Sequence, residues 1–489
     1  MTATAKNLLF LFSDQHAQRI TGCYGDAHVQ TPALDALAAR GVRLTNAYCA
    51  SPICVPSRMS MLTARYPSSQ QCWTNDDHLA SDIPTWLHAL GAAGHRPELI
   101  GRMHAMGPDQ MHGYVRREVG EHSPNWAGIP RHDMGALNNT NEPCPESVEA
   151  CGAGQAAYEL KDRDVTEAAL SALDRIAAEG RPFCLTVGLM LPHAPYVVAR
   201  KWIDHYLSVL PPPAIPPAPA GTEHPWIAWW RHNRGIDTVP DEKSRLARAA
   251  YWGLVSAMDE MIGRILDRLR ALGLEDDTLV VYASDHGDHV GDRGLWWKHT
   301  LFDDSAKVPV IAALPGRLAP GTTCDRVCSL IDLSQMMIDA MGGTPLPHAD
   351  GRSLWPVLCG DDDAWDDTAF CEYCTDTVPA WTGGRAVRHR MLRQGRWKLH
   401  YYWGEPPLLF DLQTDPAEQT DLAADPTHAD RLSRMTARLL DGWNPEEIDR
   451  QMKIRRDRKD VLAAWAAKTR PASTHIWPMT PDMNKLDEE

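Results

Sequence analysis

The chain has 489 residues and a formal net charge of −15, from 49 Lys plus Arg against 64 Asp plus Glu. This length exceeds the size at which a single core stops growing, so we expect one large domain with a smaller one appended. The negative balance argues against nucleic acid and anionic membranes as partners, and no run approaches the roughly 18 apolar residues of a membrane span. The 12 cysteines, spread over the chain, do not form a disulfide framework.

The N-terminal residues lead directly into a short apolar run, without the series of charged head, longer apolar segment and cleavage site that marks a secretory signal. This predicts a cytoplasmic protein. Residues 7–13 are too short for a helix and typical of a strand buried on both faces. The run stops at Asp14, Gln15 and His16. Asp14 is therefore expected at the carboxyl end of a strand, the edge at which open α/β sheets bind ligands.

The segment from Cys54 to Arg58 reads Cys-Val-Pro-Ser-Arg and precedes an apparent helix that runs to about Tyr66. Pro56 suits the first helical position, which places Cys54 at the helix N-terminus and Arg58 one turn further in. Free N–H groups and the positive end of the helix dipole favour a bound sulfate or phosphate there. Taken alone, a free cysteine more often behaves as a small buried hydrophobe.

Two later apolar runs also predict strands that end in polar residues. Residues 183–190 lead to His193, and residues 278–284 lead to Asp285 and His286. In a doubly wound sheet these ends lie beside Asp14. Asp14, Asp285 and His286 then offer carboxylate oxygens and an imidazole to one divalent cation. Each residue alone also has an ordinary reading, as a turn residue, a helix cap or a solvated histidine.

The remaining patterns set the domain organisation. Helices are predicted at residues 31–41, 83–93, 165–179 and 244–272, and irregular structure at 126–154 and 210–225. Beyond about residue 365, a hairpin over 387–403, a strand over 409–412 and a helix over 427–441 predict a small antiparallel sheet with one helix. We predict an α/β domain over residues 1–365, with a doubly wound mixed sheet flanked by helices. A small C-terminal α+β subdomain follows over 366–443, and then an arm over 444–489 that offers a surface for a homo-oligomer.

Five segments together resemble the formylglycine-dependent (type I) sulfatases of the alkaline-phosphatase superfamily, and the resemblance covers nearly the whole chain. The segments lie at residues 7–15, 54–58, 101–104, 192–196 and 284–298. Within the family, the chain is most similar to choline-sulfatase-like members and to arylsulfatases and phosphonate monoester hydrolases.

The resemblance implies that a separate maturation enzyme oxidises Cys54 to Cα-formylglycine. The hydrated aldehyde would attack sulfur, and sulfate would then leave by C–O cleavage. One divalent metal, Ca²⁺ or Mn²⁺, is implied, with the ligands Asp14, Gln15, Cys54, Asp285 and His286. The implied catalytic residues are Cys54, Arg58, Arg102, His104, His193 and Lys298. In these roles Arg58 holds the hydrate and His193 assists proton transfer at the leaving oxygen, while Asn75 adds a substrate contact.

The implied substrate is a small-molecule sulfate ester. The alternatives are a phosphonate monoester or phosphodiester on the same site, and a choline-sulfatase-like activity. Two further readings are a non-catalytic anion-binding protein with an unmodified Cys54 and a two-metal phosphatase, for which a Ser or Thr nucleophile and further ligands are missing. The chain departs from the family at Arg102, where a lysine is usual; arginine stays charged, so it can bind an anion but cannot donate a proton.

Overall fold

The computed structural model describes residues 5–141, 143–219, 221–360, 364–375 and 386–487. In these ranges the strands are β1 (Asn7–Asp14), β2 (Val42–Tyr48), β3 (Pro97–Gly101), β4 (Arg116–Glu118), β5 (Gly152–Gln155), β6 (Cys184–Pro192), β7 (Val197–Val198), β8 (Thr278–Ser284), β9 (Val310–Ala313), β10 (Thr322–Ser329), β11 (Thr368–Thr375), β12 (Val387–Gln394), β13 (Trp397–Tyr402), β14 (Leu408–Asp411) and β15 (Lys485–Leu486). The helices are α1 (Pro32–Ala39), α2 (Cys54–Thr63), α3 (Pro67–Gln70), α4 (Trp86–Ala92), α5 (Glu146–Glu149), α6 (Ala157–Glu179), α7 (Arg200–Val209), α8 (Pro225–Asn233), α9 (Asp241–Ala271), α10 (Asp303–Ala306), α11 (Leu330–Ala340), α12 (Trp355–Cys359), α13 (Ala429–Leu440) and α14 (Pro445–Thr469).

The large sheet has eight strands in the order β10-β2-β9-β8-β1-β6-β3-β4. Strand β1 is buried along its whole length and pairs in parallel with β6 on one side and β8 on the other. Strand β9 runs antiparallel to both of its neighbours, β8 and β2. The prediction of a mixed, doubly wound α/β sheet is therefore confirmed, and the three strands that were predicted to end in polar residues are adjacent.

Two layers of helices flank this sheet. Helices α1, α6, α7 and α9 pack together in one layer, and α2, α4 and α11 pack together in the other. Helix α6 begins at Ala157, well before the predicted start at residue 165. Its first turns include the charged residues Lys161 and Asp162, which are buried. The sequence pattern of a half-buried helix is therefore absent from these turns. None of the helices in the described ranges has the length and apolarity needed to cross a membrane.

Helix α2 places Cys54 at its N-terminus, as predicted, but its limits differ from the prediction. The helix begins at Cys54 itself, so Pro56 is its third residue instead of its first. Proline is tolerated there because N–H groups of the first turn have no partner within the helix. The helix ends at Thr63, before the predicted Tyr66, because Ala64 adopts the left-handed conformation with φ = 55°.

The C-terminal part forms a second, smaller sheet of four antiparallel strands in the order β11-β12-β13-β14, with helix α13 packed on β12 and β13. This confirms the predicted α+β subdomain. The last segment, predicted as an arm, contains the 25-residue helix α14. After this helix in the chain, β15 pairs with β5 of the large domain. The exact domain boundaries and an oligomer through this segment stay predictions.

Candidate active site

Four neighbouring strands deliver polar side chains to one edge of the large sheet. Asp14 ends β1, Asp285 follows β8 and His193 follows β6. The segment with Arg102 and His104 follows β3, the next strand along. Because these strands are parallel, their carboxyl ends meet at this edge. The structure therefore brings together the polar segments that the sequence singled out.

A cluster at this edge has the composition of a cation site. Asp14, Cys54, Asp285 and His286 each offer one ligand atom, and these atoms all lie within 4.8 Å of one another. The Nδ1–H group of His286 donates to the carbonyl of Gly287 at 3.0 Å, so the lone pair of Nε2 faces the cluster. Burial lowers the pKa of His286 to about 4, which keeps the ring neutral and able to bind a metal. Two carboxylates and an imidazole fit one divalent cation.

The carboxylate of Asp14 is ionised. Burial alone would raise its pKa, but the charges of Arg102 and Arg58 outweigh burial and hold the pKa well below the usual value. Arg102 Nε donates to Asp14 Oδ2 at 2.6 Å, and Arg58 Nη2 donates to the same oxygen at 3.0 Å. The other oxygen, Oδ1, lies 3.8 Å from His286 Nε2 and remains directed at the cluster.

Arg58 is fully buried behind the cluster and holds both of its carboxylates. Its Nε donates to Asp285 Oδ2 at 2.8 Å, in addition to the bond from Nη2 to Asp14. Nη2 and Nη1 also donate to the carbonyls of Ser13 and Arg102. With these four acceptors, Arg58 is a positioning residue for the carboxylates, and its predicted contact with the hydrate stays a prediction.

Gln15 was predicted as a metal ligand, and its side-chain amide is bonded to two other residues. Its Nε2 donates to Asp288 Oδ2 at 2.6 Å, and its Oε1 accepts from Lys298 Nζ at 2.8 Å. Tyr196 donates to the same oxygen of Asp288 at 2.7 Å. The amide thus links Asp288 to Lys298, and a metal contact by Gln15 stays a prediction.

Lys298 lies directly against the sulfur of Cys54. Its Nζ donates to Cys54 Sγ at 3.1 Å and to His193 Nε2 at 3.2 Å. The Nδ1–H group of His193 donates to the carbonyl of Ala194, which leaves the lone pair on Nε2. Asn75 is bonded to the residue after Cys54: its Oδ1 accepts from the N–H of Val55 and so satisfies one donor at the start of α2.

Arg102 and His104 form a second pair of donors facing the cavity. Arg102 Nη2 donates to His104 Nδ1 at 2.6 Å, and since arginine has no acceptor, the ring proton of His104 must lie on Nε2. Burial and the charge of Arg102 hold the pKa of His104 well below its usual value. His104 is therefore a neutral hydrogen-bond donor through Nε2–H.

These side chains line one cavity of about 330 Å³, together with the start of helix α2. Cys54, Asn75, Arg102, His104, His193 and Lys298 all contribute to its wall. Trp126 and Tyr158 add aromatic surface. We call Asp14, Cys54, Asp285 and His286 the cation-type cluster. Beside it, a tetrahedral oxyanion in this cavity would contact the cations Arg102 and Lys298 and the neutral donor His104.

Glu121 is a positioning residue that the sequence did not reveal, because it follows the short strand β4 outside any motif. Its Oε1 accepts from the N–H groups of Met103 and His104, at 2.9 and 2.6 Å, and from Arg117. His104 has φ = 58°, and these bonds hold its left-handed backbone in place. Burial alone would raise the pKa of Glu121, but Arg117 and Arg102 hold it well below the usual value, so the side chain is ionised.

We expect Glu121→Gln to lower kcat/KM by roughly 10- to 100-fold, as is typical when a residue that orients an active-site side chain is lost. Glutamine offers one acceptor and no charge to the backbone turn and to Arg102. The loss should fall mainly on kcat, measured by steady-state kinetics, with the melting temperature recorded alongside. Glu118→Gln is the matched control, because Glu118 pairs with Arg116 on the protein surface. Equal losses in both variants would contradict this role.

An α/β sheet binds its ligand at the carboxyl edge of the strands, and here that edge combines a candidate metal site with donors for a tetrahedral oxyanion. A family model described as "Sulfatase" matches residues 6–343, and one described as "N-sulphoglucosamine sulphohydrolase, C-terminal" matches residues 291–444. The chain belongs to the sulfatase family, and it is a hydrolase of sulfate esters.

Individual relatives agree with this assignment. The choline-sulfatase of Rhizobium meliloti (strain 1021) is 31% identical, over 94% of this chain and 91% of its own length. The phosphonate monoester hydrolase SpPMH of Silicibacter pomeroyi is 26% identical with a TM-score of 0.73, over 89% of this chain and 94% of its own. That of Agrobacterium radiobacter, at 24% identity and a TM-score of 0.74 over 89% and 95% of the two chains, shares the fold.

Proposed function

We propose that the protein is an arylsulfatase-like enzyme that uses a formylglycine at position 54 and one divalent metal. The observation that carries the proposal is the place of Cys54: it is the first residue of a buried helix, within 4.8 Å of the ligand atoms of Asp14, Asp285 and His286. When present, the aldehyde hydrate supplies an oxygen nucleophile whose pKa a neighbouring cation lowers. A thiol at this position would offer no such hydrate.

The side chains of the protein stabilise the charge on the sulfuryl oxygens and supply the proton for the leaving oxygen. Arg102, Lys298 and the Nε2–H group of His104 donate to the sulfuryl oxygens and offset their charge. Lys298 and His193 serve the leaving oxygen together: the Lys298 ammonium donates to Nε2 of His193, and this pair supplies the proton that the leaving oxygen takes up as its bond to sulfur breaks. Arg102 cannot serve this purpose, because its guanidinium does not release a proton near neutral pH.

The metal is proposed to be Ca²⁺ or Mn²⁺, since oxygen ligands favour Ca²⁺ and the imidazole of His286 favours Mn²⁺. Elemental analysis of the purified protein distinguishes them. A separate maturation enzyme, which would oxidise Cys54, is part of the same proposal. The cytoplasmic location and a homo-oligomer remain predictions.

We expect kcat/KM to fall in the order aryl sulfate, then phosphonate monoester or phosphodiester, then phosphate monoester. The first two classes carry one negative charge, and a phosphate monoester carries nearly two. The described residues contain one cation-type cluster, whereas a second metal is the usual means of offsetting the extra charge. The test uses four esters of the same leaving group: 4-nitrophenyl sulfate, 4-nitrophenyl phenylphosphonate, bis(4-nitrophenyl) phosphate and 4-nitrophenyl phosphate.

The outcome separates the candidates. Phosphate monoesters turning over fastest would reject the one-metal site. A phosphonate or diester preference would favour the second candidate, hydrolysis of phosphonate monoesters, which the similarity to SpPMH supports. Choline O-sulfate belongs in the same panel, because a choline-sulfatase is 31% identical and the aromatic side chains of Trp126 and Tyr158 line the cavity.

A further inference from the structure

Helix α14, from the C-terminal segment, lies along the outer side of the candidate active-site cavity and is fixed to the loop that contains Asn75. Lys459 Nζ lies 3.1 Å from Asp77 Oδ1 and donates to Thr74 Oγ1 at 3.1 Å. Arg455 Nη2 donates to the carbonyl of His78 at 3.1 Å. Burial alone would raise the pKa of Asp77, but Lys459 and Arg455 hold it below the usual value, so the buried carboxylate of Asp77 is ionised and paired with two half-buried cations. The helix is thereby held in one position relative to the cavity.

The same helix also contacts a second segment that lines the cavity, the one that contains Trp126 and Gly128. The rings of Trp126 and Trp465 meet edge to face with centroids 5.1 Å apart. At Gly128, a Cβ atom would lie only 2.2 Å from the carbonyl oxygen of Ala463, and φ is 88°. Only glycine allows this approach. The backbone of α14 is therefore in direct contact with the cavity wall at Ala463.

Ala463 itself lines the cavity, as do Asp76 and Ile129. The cavity volume of about 330 Å³ is at the small end of the roughly 300–1,000 Å³ found for small-molecule sites. The oxyanion half of the ester must occupy the inner end, at Cys54 and Lys298. The space that is left for the organic half is bounded in part by Ala463, whose side chain is a single methyl group.

We propose that helix α14 sets the size limit for the organic half of the substrate through Ala463, so that esters of single rings and short chains fit and sulfates within a polymer do not. This inference rests on the proposed function, since it concerns which sulfate esters enter. The small methyl group leaves room beside it, and a larger side chain at the same position would reduce that room, which disfavours a two-ring ester more than a one-ring ester.

The test is the variant Ala463→Phe, assayed with 4-nitrophenyl sulfate and with 4-methylumbelliferyl sulfate, a fused two-ring ester of comparable leaving group. We expect the ratio of kcat/KM for the one-ring ester to that for the two-ring ester to rise at least tenfold. Ala464→Phe is the matched control, because Ala464 is exposed on the neighbouring face of the same helix. Its ratio should equal that of the unchanged protein, and melting temperatures of both variants report on folding.

Failure of the inference and failure of the proposed function give different results. If Ala463→Phe lowers both esters equally, or if Ala464→Phe changes the ratio as much, then α14 does not limit the organic half. If the unchanged protein hydrolyses neither sulfate but does hydrolyse phosphonate monoesters, the proposed function fails, and the same ratio is measured with the corresponding one-ring and two-ring phenylphosphonates. If a sulfated polysaccharide such as dextran sulfate is desulfated faster than the one-ring ester, the size limit is wrong.

Discussion

Cys54→Ala is expected to lower kcat/KM for aryl sulfates by roughly 10⁴- to 10⁶-fold, the scale of loss when a covalent nucleophile is removed from an otherwise complete site. The cation-type cluster keeps Asp14, Asp285 and His286 in this variant, so metal content should be retained. Alanine also fits the start of α2, where the side chain of Cys54 is 1% exposed. The measurement combines steady-state kinetics with mass spectrometry of the peptide that contains residue 54.

Cys49→Ala provides the matched control. Cys49 is also buried, only a few residues away, and its sulfur faces that of Cys371 at 3.9 Å, outside the cluster. We expect this variant to keep the activity of the unchanged protein. The mechanism would be wrong if a fully active preparation carried only an unmodified thiol at residue 54.

Asp285→Ala is expected to remove most of the bound divalent metal and to lower kcat/KM by roughly 10³-fold or more. One carboxylate oxygen of Asp285 faces the cluster, and the other accepts from Arg58 Nε at 2.8 Å. The variant therefore removes a ligand and also leaves a buried guanidinium without one partner. Metal content per chain by elemental analysis and initial rates are both measured.

Asp285→Asn separates the two effects of that change. Asparagine keeps the size of the side chain and an acceptor for Arg58, while the negative charge on the cluster is lost. We expect a folded protein with reduced metal content whose rate is partly restored by added Ca²⁺ or Mn²⁺. If Asp285→Ala retained both metal and rate, the assignment of this residue as a ligand would fail.

The sequence predicted the parts of the site that depend on local pattern. Strands β1, β6 and β8 are short apolar runs that end at polar residues, and the rule that ligands lie at the carboxyl edge places their ends together. Cys54 at the start of α2 follows from the proline and the spacing in the same way. These features are properties of a few consecutive residues, so the sequence contains them.

The remaining features depend on partners that are far away in the chain. Glu121 has no motif, and its function follows from its bonds to the backbone of residues 103 and 104. Arg58 was expected to face the ligand, but its partners Asp14 and Asp285 are known only once β1 and β8 are side by side. Residues 444–489, charged and then proline-containing, were predicted to form an arm, because nothing local indicates that Lys459 has a buried partner.

The burial of helix α2 has a consequence for the order of events during biosynthesis. Pro56, Ser57 and Arg58 are buried with Cys54, and the cavity at Cys54 is also lined by Ala463 of α14, which is synthesised much later. In the folded protein this segment is closed to another enzyme, because its side chains are buried. If a maturation enzyme oxidises Cys54, as proposed, it must therefore act before the chain folds, and any change that speeds collapse of the large sheet would yield more protein that is folded yet unmodified. The fraction of active molecules in a preparation would then depend on the rate of Cys54 oxidation relative to the rate of folding, and not on the stability of the folded protein.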